Sequence, residues 1–190
     1  LIGDVGKMAD EALRLDPALL DAEVVRAEAL RVGARWDDAL AALGKVFDKE
    51  PKHARARWIA GGVHFDRWYR DMVDARLGGL GLSRLVVGPA PAADEIARLV
   101  SPASAESARP DLDGRRKKAA EELGQVPIAG AAESAVAHGL ADLLADSAKA
   151  SDALERLRES AGKQDELDEA PLGIALAHQW LGDEMAALDA

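Results

Sequence analysis

The sequence contains no cysteine, few aromatic residues and no long run of apolar residues. Without cysteine the chain forms neither disulfide bonds nor thiolate metal sites, although this does not identify its compartment. Aromatic residues make up only 4% of the chain, so alanine and leucine must supply most of the buried surface. These residues favour helices, whereas strands are richer in β-branched and aromatic residues. The composition therefore predicts closely packed helices.

The charge balance is strongly acidic, with 34 acidic and 24 basic residues and a formal net charge of −10. A surface of this sign repels phosphate groups, which argues against extensive nucleic-acid binding. No apolar run approaches the ~18–20 residues that cross a bilayer, and no signal peptide is visible. We therefore predict no direct membrane insertion. Because the chain begins at Leu1 without Met and ends within a helical pattern, we interpret it as a piece of a longer repeat protein.

One sequence interval recurs along the chain. Pro17 and Pro51 lie 34 positions apart, and each follows a helix-forming segment. Ala153 and Ala187 are separated by the same interval. A period of this length in a chain rich in leucine and alanine is typical of stacked helix–turn–helix units. A single unit cannot bury its apolar face alone, so the interval predicts an array of units.

The clearest unit spans residues 20–51, with helices over 20–33 and 36–49. Its small positions, bulky positions and closing proline are Ala27, Leu30, Ala39, Leu43 and Pro51. The unit resembles a tetratricopeptide repeat, although Glu23 stands in place of the family's opening aromatic residue. The resemblance implies an all-α fold: a right-handed superhelical stack of antiparallel helix pairs, or α-solenoid.

The resemblance also divides the chain into three parts. These are tetratricopeptide-like repeats over 1–85 with a truncated first repeat, divergent helices and loops over 86–130, and further repeats over 131–190 with a truncated last repeat. In the second unit Gly61 and His64 repeat the positions of Ala27 and Leu30. A separate second helix is predicted from Arg70 to Leu80.

The divergent part contains turn residues on both sides of two short helical patterns. We predict helices over 94–100 and 113–123, the second with Asp113 as its N-cap. Because this part lies outside the repeat register, Ala119 is expected to tolerate a larger residue better than Ala27. The basic run Arg115 to Lys118 is interpreted as the solvated face of a helix, with Glu121 and Glu122 as partners of its lysines.

No catalytic, cofactor or metal site is predicted. His64 and His178 occupy equivalent repeat positions, which favours a packing role for each ring over a metal-binding role. A zinc site needs three or four ligands on facing elements, and no HExxH motif occurs. The glycine-rich segment 78–81 has neither the preceding strand nor the following Lys-Ser/Thr of a phosphate loop. A GxSxG motif is also missing, so we predict that this segment is not an enzyme.

The candidate binding site is the concave face that the first helices of such repeats line. Trp58 and Phe65 are predicted to be exposed aromatic anchors with Gly62 leaving space between them, against the equally weighted alternative that Trp58 belongs to the core. Glu28, Arg31 and Arg55 complete the groove, where the arginines would meet acidic groups of a partner.

These observations predict an interaction scaffold that binds a protein or peptide segment in a helical groove within a multi-protein assembly. The alternative is a helical sensor or regulatory domain of a larger enzyme or regulator. The composition, rich in alanine, arginine and aspartate, resembles that of bacterial proteins of high GC content, which allows a cytoplasmic or a periplasmic location.

Overall fold

The computed structural model describes residues 2–80, 110–127, 132–161 and 169–181. Within these ranges the chain forms eight α-helices and one 3-10 turn, and no strand. The all-α prediction is confirmed. The helices are α1 (Ile2–Leu15), α2 (Leu20–Val32), α3 (Trp36–Lys49), α4 (Ala54–Leu80), α5 (Pro110–Gly124), α6 (Ala132–Ala145), α7 (Ala150–Ala161) and α8 (Glu169–Leu181).

The first three helices end close to the positions that the sequence predicts. Helix α1 ends two residues before Pro17, and α3 ends two residues before Pro51. A proline disfavours helical geometry in the residue that precedes it, which explains both ends. After α1 the carboxylate of Asp16 accepts a hydrogen bond from the backbone N–H of Ala18 at 2.9 Å, and this contact closes the turn into α2.

The turn between α2 and α3 depends on Ala34. Its φ is 55°, in the left-handed region, whereas Gly33 has a φ of −76°. The N–H of Ala34 donates to the carbonyl of Arg31 and the N–H of Arg35 to that of Leu30, both at 2.9 Å. These are the two hydrogen bonds of a Schellman motif, which usually has glycine at the left-handed position. The turn lies where the sequence predicts it, but the strained residue follows the glycine.

This turn supplies a stability prediction. Ala34→Gly is expected to raise the free energy of unfolding by about 1 kcal/mol, because glycine adopts a positive φ without the steric cost that a Cβ imposes. Urea denaturation followed by circular dichroism measures the change. The matched control is Ala41→Gly on the exposed side of α3, which should lower the same free energy by about 0.5–1 kcal/mol. A loss of stability in both variants would contradict the prediction.

Helix α4 is continuous from Ala54 to Leu80, a length of 27 residues. The prediction of a separate helix beginning at Arg70 is therefore wrong. The physical reason lies in the sequence between Phe65 and Arg70, which contains neither glycine nor proline to end the helix. The buried face also runs on through Trp68 and Met72 at helical spacing, so packing favours continuation.

Helix α5 begins at Pro110, three residues earlier than predicted. Proline suits the first turn of a helix because its missing N–H would have no partner there. Asp113 is therefore not the N-cap. It lies inside the helix and accepts hydrogen bonds from Arg116 at 2.8 Å and Lys117 at 2.6 Å. The helix predicted over 94–100 lies outside the described residues.

Small residues are buried where helices approach each other. Ala27 and Ala39 are fully buried, as the repeat pattern predicts. Ala119 of α5 is also fully buried, so the expectation that it would tolerate a larger residue is wrong. A Cβ added at Gly139 of α6 or Gly173 of α8 would lie 3.0 Å from a side-chain carbon of Leu157 in α7. The later helices thus also pack through small residues.

The order of helix contacts follows the chain. Within each described stretch, consecutive helices pack against each other, and α4 packs against α5. Contacts also join alternate helices: α2 with α4, α4 with α6, and α6 with α8. One continuous apolar core results, and its largest fully buried side chains are those of Trp68 and Phe65.

Candidate interaction surfaces

The two predicted aromatic anchors lie in the core. The exposed fraction is 3% for Trp58 and 1% for Phe65. Helix α4, which carries both, packs against α2, α3 and α5, so most of its circumference is covered. The prediction that these side chains are exposed is wrong because it assigned α4 a free face. The alternative that Trp58 belongs to the core is confirmed.

The space above Gly62 is occupied by an arginine. A Cβ at Gly62 would clash with Cζ of Arg31, so the guanidinium rests directly on the glycine backbone. Nε of Arg31 donates to Oδ2 of Asp66 at 2.7 Å, and Nη2 donates to Oδ1 at 3.3 Å. The Arg31 side chain is only 10% exposed. Gly62 therefore makes room for an ion pair between α2 and α4 rather than for a partner's side chain.

The remaining predicted groove residues form a second link between the same two helices. Nη2 of Arg55 donates to Oε1 of Glu28 at 2.6 Å, and both side chains are partly exposed. The structure thus places three of the five predicted site residues in ion pairs between α2 and α4, and the other two in the core. A role for Arg55 in partner binding stays a prediction.

An aromatic cluster links α4 to α8, the last described helix. Phe65 stacks on Tyr69 with ring centroids 6.1 Å apart, and Trp68 lies 5.9 Å from Phe65. Trp180 of α8 meets Trp68 edge-on at 6.5 Å. Aromatic pairs in such geometries contribute about 0.5–1.5 kcal/mol beyond their buried area. The cluster therefore joins α4 to α8, which are distant in sequence.

The basic run of α5 is largely engaged within the protein. Lys118 pairs with Glu121 at 3.2 Å and Glu122 at 2.9 Å, as predicted, whereas Lys117 pairs with Asp113 instead.

Arg115 reaches across to the buried carboxylate of Asp71 on α4. Arg116 donates to the carbonyl of Leu144 on α6. The two arginines thus connect α5 to its neighbours, while the lysines lie on its exposed side.

His64 and His178, which the sequence pattern assigned to equivalent positions, differ in their surroundings. His178 is buried, and its Nε2 accepts a hydrogen bond from Nη2 of Arg158 at 2.8 Å. His64 is half-buried on α4, and burial lowers its pKa from the usual value of 6.5. Nearby Glu122 acts in the opposite direction and is outweighed. Although burial acts to raise the pKa of Glu122 itself, hydrogen bonds from Lys118 and Arg57 keep that pKa below 4.5.

This shift predicts a loss of stability on mild acidification. The unfolded chain takes up a proton at His64 before the folded protein does, because the folded pKa lies below 6.5. The stabilisation is therefore complete above pH 6.5 and disappears as the pH falls through the folded pKa. Between about pH 7.5 and 5.5, wild type should lose more unfolding free energy than His64→Gln, as measured by urea denaturation. Equal losses would contradict the assignment, since Glu122 titrates at lower pH.

A surface that the groove prediction missed lies on α1 and α2. Its five members, the α1–α2 apolar face, are large apolar side chains that remain exposed: Val5, Met8, Leu15, Val25 and Val32. Met8 and Leu15 are the most open, at 72% and 71% exposure. In the sequence the signal was the spacing of Val5, Met8 and Leu15, which places them on one side of a strongly amphipathic helix.

The register of α1 against α2 makes these residues one surface. A Cβ at Gly6 would lie 3.6 Å from Cβ of Ala29, and Nε of Arg26 lies 3.1 Å from Oδ1 of Asp10. These two contacts define an antiparallel pair. With the helical periodicity of both helices, this register places the valines of α2 on the same side of the pair as the exposed apolar residues of α1. Helix α1 thus has an apolar arc wider than α2 alone covers.

An open cleft of about 380 Å³ separates α5 from α6. It lies between α5 and α6, where the alternative sensor function would place a ligand. Small residues form much of its lining, and the charged groups at its edge have partners within the protein: Lys117 pairs with Asp113 and Asp142 with Arg156. His138 Nε2 contacts the carbonyl of Val126 at 2.9 Å. The cleft therefore supplies no specific argument for a ligand.

Within the described residues, neither a metal site nor a membrane-spanning helix is present. No group of three or more His, Cys, Asp or Glu side chains there is arranged to hold a metal ion. None of the described helices combines the length and apolar character needed to cross a membrane. A comparison with protein-family models finds no match, and comparisons with curated proteins and with solved structures find none either. No comparison therefore identifies this chain as a tetratricopeptide-repeat protein.

Proposed function

We propose that this chain is a helical interaction scaffold whose stacked helix pairs present a surface to a protein partner. The α1–α2 apolar face is the observation that carries the proposal. Large apolar side chains that lie together on a protein surface are typical of sites where another protein binds. The ion pairs between α2 and α4 and the buried aromatic residues of α4 stabilise the scaffold on which this face is presented.

The order of helix contacts supports the tetratricopeptide-like part of the proposal. In a solenoid each repeat contacts its neighbours, so alternate helices form one layer and the intervening helices form another. The contacts of α2 with α4, α4 with α6 and α6 with α8 are those expected for one such layer. The cluster around Trp68 and Trp180 is an additional contact, between helices further apart in the array.

The test compares partners retained by wild type and by a surface variant. Met8→Ser/Leu15→Ser removes the two most exposed side chains of the face, and the control Leu181→Ser removes an exposed leucine of α8. Affinity purification from cells of the source organism with quantitative mass spectrometry should identify a protein retained by wild type and control but lost in the double variant. That protein should bind the purified domain directly. Identical retention by all three would overturn the proposal, provided circular dichroism shows that each is folded.

A further inference from the structure

The geometry points to a basic amphipathic helix as the segment of a partner that binds the α1–α2 apolar face; this inference rests on the proposed function. The spacing of the apolar side chains and the position of the carboxylates along the two edges both favour such a helix. Such a partner would lie in the groove between α1 and α2, with its apolar residues on the face and its lysines or arginines on both flanks.

The spacing of residues on α1 suits a helix. Val5, Met8, Ala12 and Leu15 follow the alternating three- and four-residue steps by which helices pack side by side. At 1.5 Å per residue this row is about 15 Å long, which matches roughly three turns of a partner helix. Val25 and Val32 form a second row, seven residues apart, along α2. The space between the row on α1 and the row on α2 is the groove in which one partner helix would lie.

Carboxylates lie next to the apolar rows on both edges of the groove, and those of Asp4, Glu11 and Glu28 are paired with basic residues of the protein. On the outer side of α1, Asp4 and Glu11 lie next to the apolar row, and Lys7 and Arg14 lie one step further away. On the α2 side, the edge carries Asp21, which is highly exposed and lies 3.9 Å from Nε2 of His53.

Glu28 continues the α2 edge, and Asp16 stands exposed where α1 leads into α2. Charged residues that flank an apolar row select the partner and its orientation, so carboxylates on both edges favour a helix with basic flanks. The net charge of −10 would also accelerate the approach of such a segment.

A second copy of the same chain fits this face less well. In a symmetric pair each acidic edge would meet an acidic edge of the other copy, and like charges placed together oppose association. The same argument disfavours an acidic amphipathic helix. The face therefore distinguishes partners by charge as well as by apolar spacing.

The experiment uses three synthetic peptides of 14 residues, with blocked ends and a fluorescent label. One has leucines at helical spacing with lysine flanks, the second replaces these lysines by glutamate, and the third is a scrambled version of the first. Fluorescence anisotropy with the whole chain should show that the basic peptide binds at least about tenfold more tightly than either of the others. Raising the salt concentration should weaken its binding.

Three variants test whether peptide binding depends on this surface or only on the overall negative charge of the protein. Met8→Ser/Leu15→Ser and Glu11→Gln/Asp21→Asn should each weaken binding of the basic peptide, the first by about tenfold or more. The control Glu155→Gln removes an exposed carboxylate of α7 and should leave binding unchanged. All substituted side chains are exposed, so the variants should fold, which thermal unfolding verifies.

The possible results lead to different conclusions. If the basic and acidic peptides bind equally well and Met8→Ser/Leu15→Ser weakens both, the charge inference is overturned while the proposed interaction function stands. If sedimentation velocity shows a dimer that the same variant dissociates, the face joins two copies, and the basic helix is rejected. Binding that only Glu155→Gln weakens would also reject it. If no peptide binds and the chain is monomeric, the inference fails. The affinity purification then tests the proposed function independently.

Discussion

Replacing Trp68 with alanine is expected to lower the free energy of unfolding by about 3–5 kcal/mol. The side chain is fully buried at the centre of α4 and contacts the rings of Phe65, Tyr69 and Trp180. Its removal leaves a cavity that backbone packing cannot fill, because α4 is held by α2, α3 and α5. Urea denaturation followed by far-ultraviolet circular dichroism measures the loss without relying on tryptophan fluorescence.

Trp36→Ala provides the matched control. Trp36 is only partly buried at the start of α3, and the guanidinium of Arg70 covers its ring at 4.1 Å. We expect a clearly smaller loss of stability than for Trp68→Ala. Because Trp68 joins α4 to α8, its loss should also increase hydrogen exchange in residues 169–181. Equal losses for both variants, with unchanged exchange in α8, would show that the aromatic cluster does not stabilise this contact.

The second large effect is expected at Gly61, where α4 approaches α5. A Cβ there would lie 2.6 Å from Cδ2 and 3.1 Å from the backbone nitrogen of Leu123. The Leu123 side chain is itself buried, so it has little room to move. Gly61→Ala should therefore lower the free energy of unfolding by about 1–3 kcal/mol through overpacking. The same denaturation experiment measures it.

Gly44, which is surrounded by open space, is the matched control for Gly61. Gly44 lies inside α3, and a Cβ there would meet no atom within 4 Å. Gly44→Ala should raise the free energy of unfolding by about 0.5–1 kcal/mol, because alanine is the better helix former. The same chemical change is thus expected to have opposite signs at the two positions. Stabilisation by Gly61→Ala would mean that α4 and α5 are further apart than described.

Helical periodicity and turn residues predicted α1, α2 and α3 closely because local signals decide where such helices begin and end. Pro17 and Pro51 mark two ends, and Ala27 and Ala39 are buried as their spacing predicts. The same reasoning failed at Arg70, where the repeat register suggested a new helix although no residue there ends one. The repeat register is inferred from residues that lie far apart in the sequence. Whether a helix continues depends instead on the neighbouring residues and on how they pack.

For the candidate site, too, the sequence predicted one part of the arrangement and missed another. The sequence brought Glu28, Arg31 and Arg55 into one region together with Trp58 and Phe65, and the structure places the first three in ion pairs between α2 and α4 and the last two in the core. Their exposure was not predictable, because periodicity tells which residues share a helix face but not which helix covers that face. Arg31 resting on Gly62 depends on the distance between two helices, which no sequence spacing records.

By itself, the sequence determined the helical class, the acidic net charge and the buried small positions Ala27 and Ala39 of the clearest unit. Propensity, net charge and side-chain volume are properties of individual residues or of short segments, so they can be read from the chain. Only the tertiary structure decided that the aromatic residues of α4 lie inside and that the apolar row of α1 lies outside. Burial depends on which other helices pack against a face, and α2 alone covers too little of α1 to bury Met8 and Leu15.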